Sequence, residues 1–297
     1  LRQPETPIRA PYGLLASRAL AKGFSGCLSR FNLPFPFIPI AWRCAAIPTL
    51  DALNNHHRAP IRQPETPAQN AIIRARYVLH YSRAMTSFAD QLAAGIAQMR
   101  LAISPAQQQK LLAYLALLQK WNKTYNLTAL RDPAQMVSHH LLDSLTLLPY
   151  LAQAQSMTDV GSGGGMPAIP AAICCPDLRI TMVDANSKKT SFLRQAAIEL
   201  GLDNIAVSSS RVEELSDHRA DIITSRAFAE LADFVRLTRH LLGDNGHWAA
   251  MKGVYPAEEI FRLPPDIQAY QTDKIHVPTL NAERHIVLLR PTQGTQP

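Results

Sequence analysis

The sequence predicts an α/β protein in which a small helical region precedes a largely parallel sheet with crossover helices. Short apolar runs alternate with helical stretches from residue 156 onwards, a rhythm typical of parallel strands joined by helices. A glycine-rich loop follows the first apolar run, where open sheets of this kind bind ligands. Before it, apolar residues recur at helical spacing. We therefore expect a helical region over residues 85–150 and an α/β domain over residues 151–297.

Residues 1–84 differ in composition from the rest of the chain. They hold 11 Lys and Arg against 3 Asp and Glu, 10 of the 22 prolines and none of the seven methionines. The motif R-Q-P-E-T-P at residues 2–7 returns at residues 62–67. Because proline withholds backbone donors and no period persists, we expect disorder here, or upstream sequence that precedes a true start at Met85. An organelle transit peptide and a basic tail that contacts nucleic acid are the alternatives.

The remainder of the chain is close to electrically neutral. The net charge of +7 comes from the first segment, because residues 85–297 carry 19 basic and 20 acidic side chains. A nucleic-acid-binding function therefore cannot be argued from the overall charge. No apolar run approaches the roughly 18 residues of a membrane span. The cysteines lack disulfide or metal spacing, so we expect Cys174 and Cys175 to be buried thiols and expect no metal site.

The helical region carries recognisable start signals. Ser104 is an N-cap, Pro105 occupies the first helical position and Gln107 completes a capping box. Leucines follow at helical spacing, and the helix gives way to a polar loop at residues 121–128.

A second helix begins at Asp132-Pro133 and carries His139 and Asp143, which are four residues apart and share a face. An ordinary hydrogen bond on the helix surface is the favoured interpretation of this pair, because no third ligand or nucleophile lies nearby in sequence. A histidine whose tautomer is held by the carboxylate, or half of a metal site, are the alternatives.

Seven apolar runs are candidate strands of the sheet. They are residues 157–160, 180–184, 205–208, 221–224, 248–251 and 285–289, with a weaker candidate at residues 268–277. Three helices are predicted between them: residues 167–175, a helix capped by Asn186 and ended by Gly201, and residues 227–242.

The glycine-rich loop reads D-V-G-S-G-G-G-M-P from Asp159. Glycines bring bare backbone amides against a ligand, because they have no Cβ to hold it away. The loop matches D-x-G-x-G-x-G, the nucleoside loop of S-adenosylmethionine methyltransferases, through Asp159, Gly161, Gly163 and Gly165. The loop also matches a dinucleotide-binding fingerprint, less completely, with Ala168 in its last position. That match would imply an NAD-dependent oxidoreductase. A glycine-rich turn without a ligand is the simplest alternative.

Two further strand ends carry candidate site residues. Asp184 lies 19 residues after Gly165, close to the spacing at which an acid meets ribose hydroxyls; a turn aspartate is the alternative. Arg226 follows the fourth strand, at the strand end where methyltransferases hold the methyl acceptor, although a surface salt bridge would also explain an arginine there. The chain has no N-P-P-Y motif and no Pro-Cys pair. An acceptor that needs neither, such as the ring nitrogen N7 of guanine, is therefore favoured.

Several ordered motifs resemble the ribosomal small-subunit methyltransferase G family, also called glucose-inhibited division protein B, over roughly residues 90–290. They are the glycine loop, W-N-K-T-Y-N-L-T at Trp121–Thr128, H-H-L-L-D-S-L at His139–Leu145, S-S-R-V-E-E at Ser209–Glu214, S-R-A-F at Ser225–Phe228, M-K-G at Met251–Gly253 and E-R-H at Glu283–His285. The family usually reads G-L-P-G-I-P where this chain has Met166 and Ala168. We expect that difference to leave ligand binding intact.

The resemblance implies the Rossmann-like class I methyltransferase fold, a seven-stranded mixed sheet preceded by a small helical region. It implies S-adenosylmethionine as cofactor, and methyl transfer to N7 of a guanine in 16S rRNA by proximity, with no acid or base residue. The partner would be 16S rRNA or the small ribosomal subunit, in the cytoplasm, and we expect a monomer. A methyltransferase acting on a protein or a small molecule, and a non-catalytic RNA-binding protein that kept the fold, are the alternatives.

The resemblance and the motifs together name the candidate site residues. The expected cofactor contacts are Asp159, Gly161, Gly163, Gly165, Met166, Asp184, Val212, Glu213 and Arg226, the last also on the acceptor side. The expected RNA contacts are Lys123, His139, Lys188, Lys189 and Lys252.

Overall fold

The structure, a computed structural model, describes residues 87–216 and 218–292. The predictions for residues 1–84, and the proposed start at Met85, lie outside these residues. The helices are α1 at residues 87–98, α2 Pro105–Tyr125, α3 Pro133–Met136, α4 Asp143–Leu145, α5 Ala168–Cys174, α6 Ser187–Leu200, α7 Leu231–Thr238 and α8 Ala257–Phe261. A π-helical segment, Val137–Leu142, joins α3 to α4.

Within the described residues, seven strands form one mixed sheet. The strands are β1 Ser156–Val160, β2 Arg179–Val183, β3 Ile205–Ser208, β4 Ala220–Arg226, β5 Leu242–Lys252, β6 Ile267–Ile275 and β7 Arg284–Pro291. Their order is β3-β2-β1-β4-β5-β7-β6, and β7 runs antiparallel to the other six strands. The predicted seven-stranded mixed sheet after a helical region is confirmed, including the weaker strand candidate.

The segment between β4 and β5 differs from the prediction. The helix expected over residues 227–242 begins at Leu231, and β5 begins at Leu242, before the predicted strand at Trp248. Gly243 and Gly246 explain the longer strand, because a Cβ on either would lie only 3.1 or 3.0 Å from the Ala220 carbonyl oxygen. The backbones of β4 and β5 therefore approach closely at a point where two glycines conceal the strand pattern.

The sheet is buried on both faces, as parallel sheets are. One face packs against α2, α5 and α6, where Phe192 and Leu193 are fully buried. The other face packs against α7, where Trp248 is fully buried and its Nε1 donates to Thr238 Oγ1 over 2.9 Å. Each large apolar side chain buried in this way contributes about 1.5–3 kcal/mol to folding.

Helix α2 crosses the loop that follows β1. It begins with the predicted capping box, in which Ser104 and Gln107 each accept from the other's backbone amide. Its buried face includes Tyr114, whose hydroxyl donates to the Gly164 carbonyl over 2.6 Å. The buried hydroxyl is thereby satisfied, and the helical region is tied to the glycine-rich loop.

None of the helices among the described residues is long and apolar enough to cross a membrane.

We predict that Tyr114→Phe lowers the free energy of unfolding by about 1–2 kcal/mol, because the buried Gly164 carbonyl loses its donor. Urea unfolding measures this change. Tyr125→Phe is the matched control, because its ring is 42% exposed and its hydroxyl has no partner among the described residues; its effect should stay within about 0.5 kcal/mol. Equal losses in the two variants would contradict the prediction.

Candidate functional site

The carboxyl edge of the sheet holds the predicted site. Strand β1 lies between β2 and β4 and is parallel to both, so the connections that leave β1 and β4 run to opposite sides of the sheet. Ligands of open sheets bind at such a switch point. The loop after β1 opens directly onto it.

Local hydrogen bonds fold this loop tightly. The amides of Gly161 and Ser162 both donate to the Val183 carbonyl of β2, at 2.9 and 3.1 Å, and the Gly165 amide donates to the Ser162 carbonyl at 2.7 Å. Gly161, Gly163 and Gly165 have φ values of +70°, +56° and +87°. Residues with a Cβ rarely adopt this left-handed region, which accounts for the glycine at each of these positions.

The three glycines face different surroundings. A Cβ on Gly165 would lie 2.5 Å from Ile169 Cδ1, and a Cβ on Gly161 would lie 2.8 Å from Phe228 Cδ2. A Cβ on Gly163 would meet only the Gly161 carbonyl oxygen, at 3.7 Å. The loop is therefore closed at its ends and open at Gly163, where a ligand can approach the backbone.

Asp184 is directed at this open point. Its Oδ2 accepts from the Gly163 amide and its Oδ1 accepts from the Asn186 amide, both over 2.9 Å. Lys189 Nζ lies 3.7 Å from Oδ2. An ionised carboxylate has about four acceptor positions, so this buried side chain can still accept from a ligand's hydroxyl groups.

Asp159 is a buried carboxylate without a hydrogen-bond partner among the described residues. Both side-chain oxygens are orphaned, because Ser162 Oγ donates to the backbone carbonyl of Asp159 and not to its carboxylate. Burial raises the pKa of Asp159 to about 7; the neighbouring Ser162 hydroxyl and the charge of Arg226 lower this pKa, and the charge of Asp184 raises it. A buried carboxylate in this state is stabilised by a cationic donor, and an ammonium group of a ligand would be one.

Arg226 reaches the loop from the end of β4. Its Nη1 donates to Asp143 Oδ2 over 2.8 Å and to the His139 carbonyl over 2.9 Å, and its Nη2 lies 3.2 Å from Met166 Sδ. The alternative of a surface salt bridge is wrong, since the side chain of Asp143 is only 2% exposed. The arginine is held between the helical region and the glycine-rich loop.

The prediction of a surface hydrogen bond between His139 and Asp143 is also wrong. His139, half-buried, uses Nδ1 within its own helix, 3.0 Å from the Gln135 carbonyl. The carboxylate of Asp143 turns inward to Arg226. The π-helical segment Val137–Leu142 accounts for this, because its five-residue hydrogen-bond spacing separates side chains that an α-helix would align.

His140 lies in the same π-helical segment and is buried. Its Nε2 is 3.2 Å from Thr128 Oγ1. Burial, together with the charge of Arg226, lowers the pKa of His140 to about 4. The ring is therefore neutral at pH 7.

The motif S-R-V-E-E forms a single 3₁₀ turn, Val212–Glu214. Val212 is buried in the same apolar cluster as Val160 and Val183, at the ends of β1 and β2, whereas Glu213 is exposed. This arrangement places the turn beside the glycine-rich loop, and the cofactor contacts of both residues stay a prediction.

The predicted RNA contacts are spread around the edge of the sheet. Lys123 and Lys188 are exposed, at the last turn of α2 and the first turn of α6. Lys189 is half-buried in its ion pair with the carboxylate at the end of β2. Lys252 is engaged within the chain, because its Nζ lies 2.6 Å from Glu259 Oε2. Their roles in RNA binding stay predictions.

The roles of three site residues were not predicted from the sequence, although Asp143 was considered there as a partner of His139. Asp143 and Tyr114 lie among apolar residues, and a buried polar group needs a partner; this signal was present and was missed. Arg284 donates through Nε to Asp143 Oδ1 over 2.7 Å. The E-R-H motif contains it, yet its partner lies 141 residues earlier in the chain.

Cys174 and Cys175 are half-buried and not fully buried as predicted. Burial raises the pKa of both thiols, that of Cys174 to about 12. Both groups are therefore protonated at neutral pH, and neither is an activated nucleophile.

Among the described residues, no group of three His, Cys, Asp or Glu side chains has the arrangement of a metal site.

Comparison with known proteins identifies relatives that match about two thirds of the chain. The family model for rRNA small subunit methyltransferase G matches residues 107–287. The ribosomal RNA small subunit methyltransferase G of Neisseria gonorrhoeae is 66% identical over 200 residues, which are 67% of this chain and 97% of that protein. The protein of the same name from Chromobacterium violaceum is 54% identical over 204 residues, 68% of this chain and 98% of that protein. Among solved structures, TrmN from Thermus thermophilus is 20% identical, with a TM-score of 0.43 over 59% of this chain and 53% of that one.

The residues at the loop fit the cofactor of such enzymes, S-adenosylmethionine. Its ribose carries hydroxyl groups, for which Asp184 has acceptor capacity, and its methionyl part carries an ammonium, which the orphaned carboxylate of Asp159 can accept. The open backbone at Gly163 leaves space beside both. This chain therefore belongs to the rRNA small subunit methyltransferase G family and is an S-adenosylmethionine-dependent methyltransferase of the class I fold.

Proposed function

We propose that this chain transfers the methyl group of S-adenosylmethionine to N7 of a guanine in 16S rRNA. The observation that carries the proposal is the pairing of two carboxylates with a bare glycine loop, next to an arginine on the acceptor side, in a member of this family. The relatives named above are ribosomal RNA methyltransferases by name, and this supports an RNA acceptor.

The chain's own residues would bind and orient the cofactor, which supplies a methyl group activated on a sulfonium. Asp184 would accept from the ribose hydroxyls and Asp159 from the ammonium. The remaining contacts would come from backbone amides and from side chains around the loop: Gly161, Gly163, Gly165, Met166, Val212, Glu213 and Arg226.

For the methyl acceptor, alignment with the methyl group matters more than proton transfer. N7 of guanine has a lone pair and no proton to remove, so holding it in line with the methyl group is the main requirement. This matches the residues present: His140 is neutral and bound to Thr128, and the thiols are protonated. Arg226 would orient the base, because its Nε has no acceptor among the described residues.

A cluster of aromatic side chains on α2 and α6, with an exposed tyrosine and nearby lysines, supports binding of single-stranded RNA. Trp121 packs between Tyr125 and Phe192 with tilted rings, and the ring centroids lie 5.1 and 5.6 Å from its own; Tyr125 is exposed, Trp121 is half-buried and Phe192 is fully buried. Lys188 lies four residues before Phe192 on the same face of α6, and Lys123 lies in the last turn of α2. Aromatic rings flanked by cations are typical of surfaces that stack bases and contact phosphates.

The partner follows from the proposed acceptor. We infer that the chain acts on 16S rRNA, free or within the small ribosomal subunit, and therefore in the cytoplasm. We also propose that it acts as a monomer.

The first prediction tests the reaction itself. The full chain, incubated with methyl-labelled S-adenosylmethionine and small subunits from cells that lack the modification, should place the label in 7-methylguanosine. Nucleoside digestion and chromatography measure this. Asp184→Ala is the control and should lose the label through weaker cofactor binding. Label in another nucleoside, in protein or nowhere would contradict the proposal.

A second prediction concerns pH. Only an ionised Asp159 attracts an ammonium, and its pKa of about 7 in the ligand-free protein means that the charged form is lost as pH falls. Cofactor affinity should therefore rise roughly five- to tenfold from about pH 6 to about pH 7.5, above which an α-amino group begins to lose its proton. Titration calorimetry measures the affinity.

Two variants separate Asp159 from the other carboxylate of the loop. Asp159→Asn should bind the cofactor more weakly and show a flat profile over this range. Asp184→Asn should also bind more weakly, yet keep the pH dependence. A wild-type profile without slope would show that Asp159 does not contact the ammonium.

The glycines supply a third prediction. Gly163→Ala should cost only about 1–2 kcal/mol of stability, the left-handed backbone penalty, because its Cβ enters open space. It should nevertheless lower cofactor affinity by more than about tenfold. Gly165→Ala should destabilise the fold further, by about 3 kcal/mol in total, because its Cβ also clashes with Ile169. Urea unfolding measures the stability of each variant, and titration calorimetry measures its cofactor affinity. Equal stability of the two variants would contradict the conclusion that the loop is open at Gly163 and closed at Gly165.

A further inference from the structure

One buried carboxylate in the structure is shared by two guanidinium groups. Asp143 Oδ2 accepts from Arg226 Nη1 over 2.8 Å, and its Oδ1 accepts from Arg284 Nε over 2.7 Å. The side chain of Asp143 is 2% exposed. A carboxylate this deeply buried requires a cation, and one guanidinium would suffice.

This arrangement leaves one positive charge in surplus. Among the ion pairs of residues 87–216 and 218–292, Asp143 is the only carboxylate shared by two cations. In each of the other ion pairs the cation has at least one carboxylate of its own; Arg262, for example, is paired with both Glu230 and Glu258. Glu283, the residue before Arg284, is paired with Lys274 instead, whose Nζ lies 2.7 Å from Glu283 Oε1. Among the described residues, neither arginine forms an ion pair with a second carboxylate, although the charge of Arg226 also acts on the buried Asp159 and lowers its pKa.

The surplus charge is accessible. The side chains of Arg226 and Arg284 are 22% and 24% exposed. Arg284 uses Nε on Asp143 and Nη1 on the carbonyl of Glu283, while its Nη2 has no acceptor among the described residues. One edge of this planar group is therefore free to donate.

Arg226 and Arg284 lie beside the methyl-transfer site. Strand β7 runs antiparallel to β5, so Arg284, its first residue, lies at the edge where β4 and β5 end. Arg226 at the end of β4 reaches Met166 of the glycine-rich loop. The cluster of Arg226, Asp143 and Arg284 thus borders the crevice that holds the reacting groups.

We propose that Arg284 binds a backbone phosphate of the RNA beside the target guanine, and that Asp143 positions its guanidinium for this contact. The inference rests on the proposed function, which supplies an RNA acceptor. A guanidinium donates two parallel hydrogen bonds to phosphate oxygens, which makes arginine well suited to phosphate. The phosphate also balances the charge: two guanidiniums, one carboxylate and one phosphate sum to zero.

The test measures RNA binding and turnover of the full chain at several salt concentrations. Arg284→Met should raise KM for small subunits roughly five- to tenfold, with kcat within about threefold. It should also make the negative slope of log affinity against log salt shallower, by about one, because one phosphate contact is lost. Cofactor affinity, measured by calorimetry, should stay unchanged, since Arg284 makes no contact with the glycine-rich loop.

Three further variants separate the roles. Arg284→Lys should keep the salt slope and recover part of KM, because it keeps the charge without the fork. Arg236→Met, which removes an exposed arginine paired only with Asp233, should match wild type. Asp143→Asn should raise KM although both arginines remain, and adding Arg284→Met to it should raise KM little further. Should Asp143→Asn fail to fold, the Arg284 variants decide alone.

The outcomes distinguish this inference from the proposed function. If wild type binds RNA but labels no guanine N7, the proposed function fails, and the salt slope still tests Arg284. If Arg284→Met has the KM and salt slope of Arg236→Met, the inference is wrong, whatever the methylation assay shows. If wild type binds no RNA, both are wrong.

Discussion

The close approach of α2 to the loop after β1 is the constraint on which the site depends. Tyr114 holds the Gly164 carbonyl, and a Cβ on Gly164 would lie 3.0 Å from Met166 Cε and 3.2 Å from Leu118 Cδ1. Because α2 satisfies this buried carbonyl and fills the space behind the loop, the loop can turn the Gly163 backbone to the open side. The helical region is therefore part of the cofactor site and not an appendage to it.

A second link from the helical region is electrostatic. Asp143 joins the end of β4 to the start of β7 through Arg226 and Arg284. A buried ion pair adds little to stability, because desolvation offsets much of the attraction. Its geometric effect is larger: the carboxylate fixes the directions of two long side chains that would otherwise sample many rotamers. The π-helical segment Val137–Leu142 turns Asp143 inward and makes this possible.

The sequence was sufficient where the information is local. The loop around Gly163 and the acid Asp184 follow strand ends at regular spacing, and both were found where the pattern put them. The partnership of Asp143 and Arg284 was not predicted, because 141 residues separate them and no periodicity links them. The start of β5 at Leu242 was missed for a different reason. Two glycines in that strand remove the apolar alternation on which strand prediction relies, while they allow the backbone approach that forms it.

The distribution of charge explains how a nearly neutral chain can act on RNA. The whole-chain balance carries little information, because it averages over local arrangements such as the cluster around Asp143, where two guanidiniums share one carboxylate. Methylation at N7 leaves the guanine ring positively charged, and an uncompensated Arg226 beside it would oppose that change. Asp143 offsets one guanidinium, and a phosphate on Arg284 would offset the other. The base would then acquire its charge next to a cluster whose own charges sum to zero, so the two arginines would not oppose the transfer.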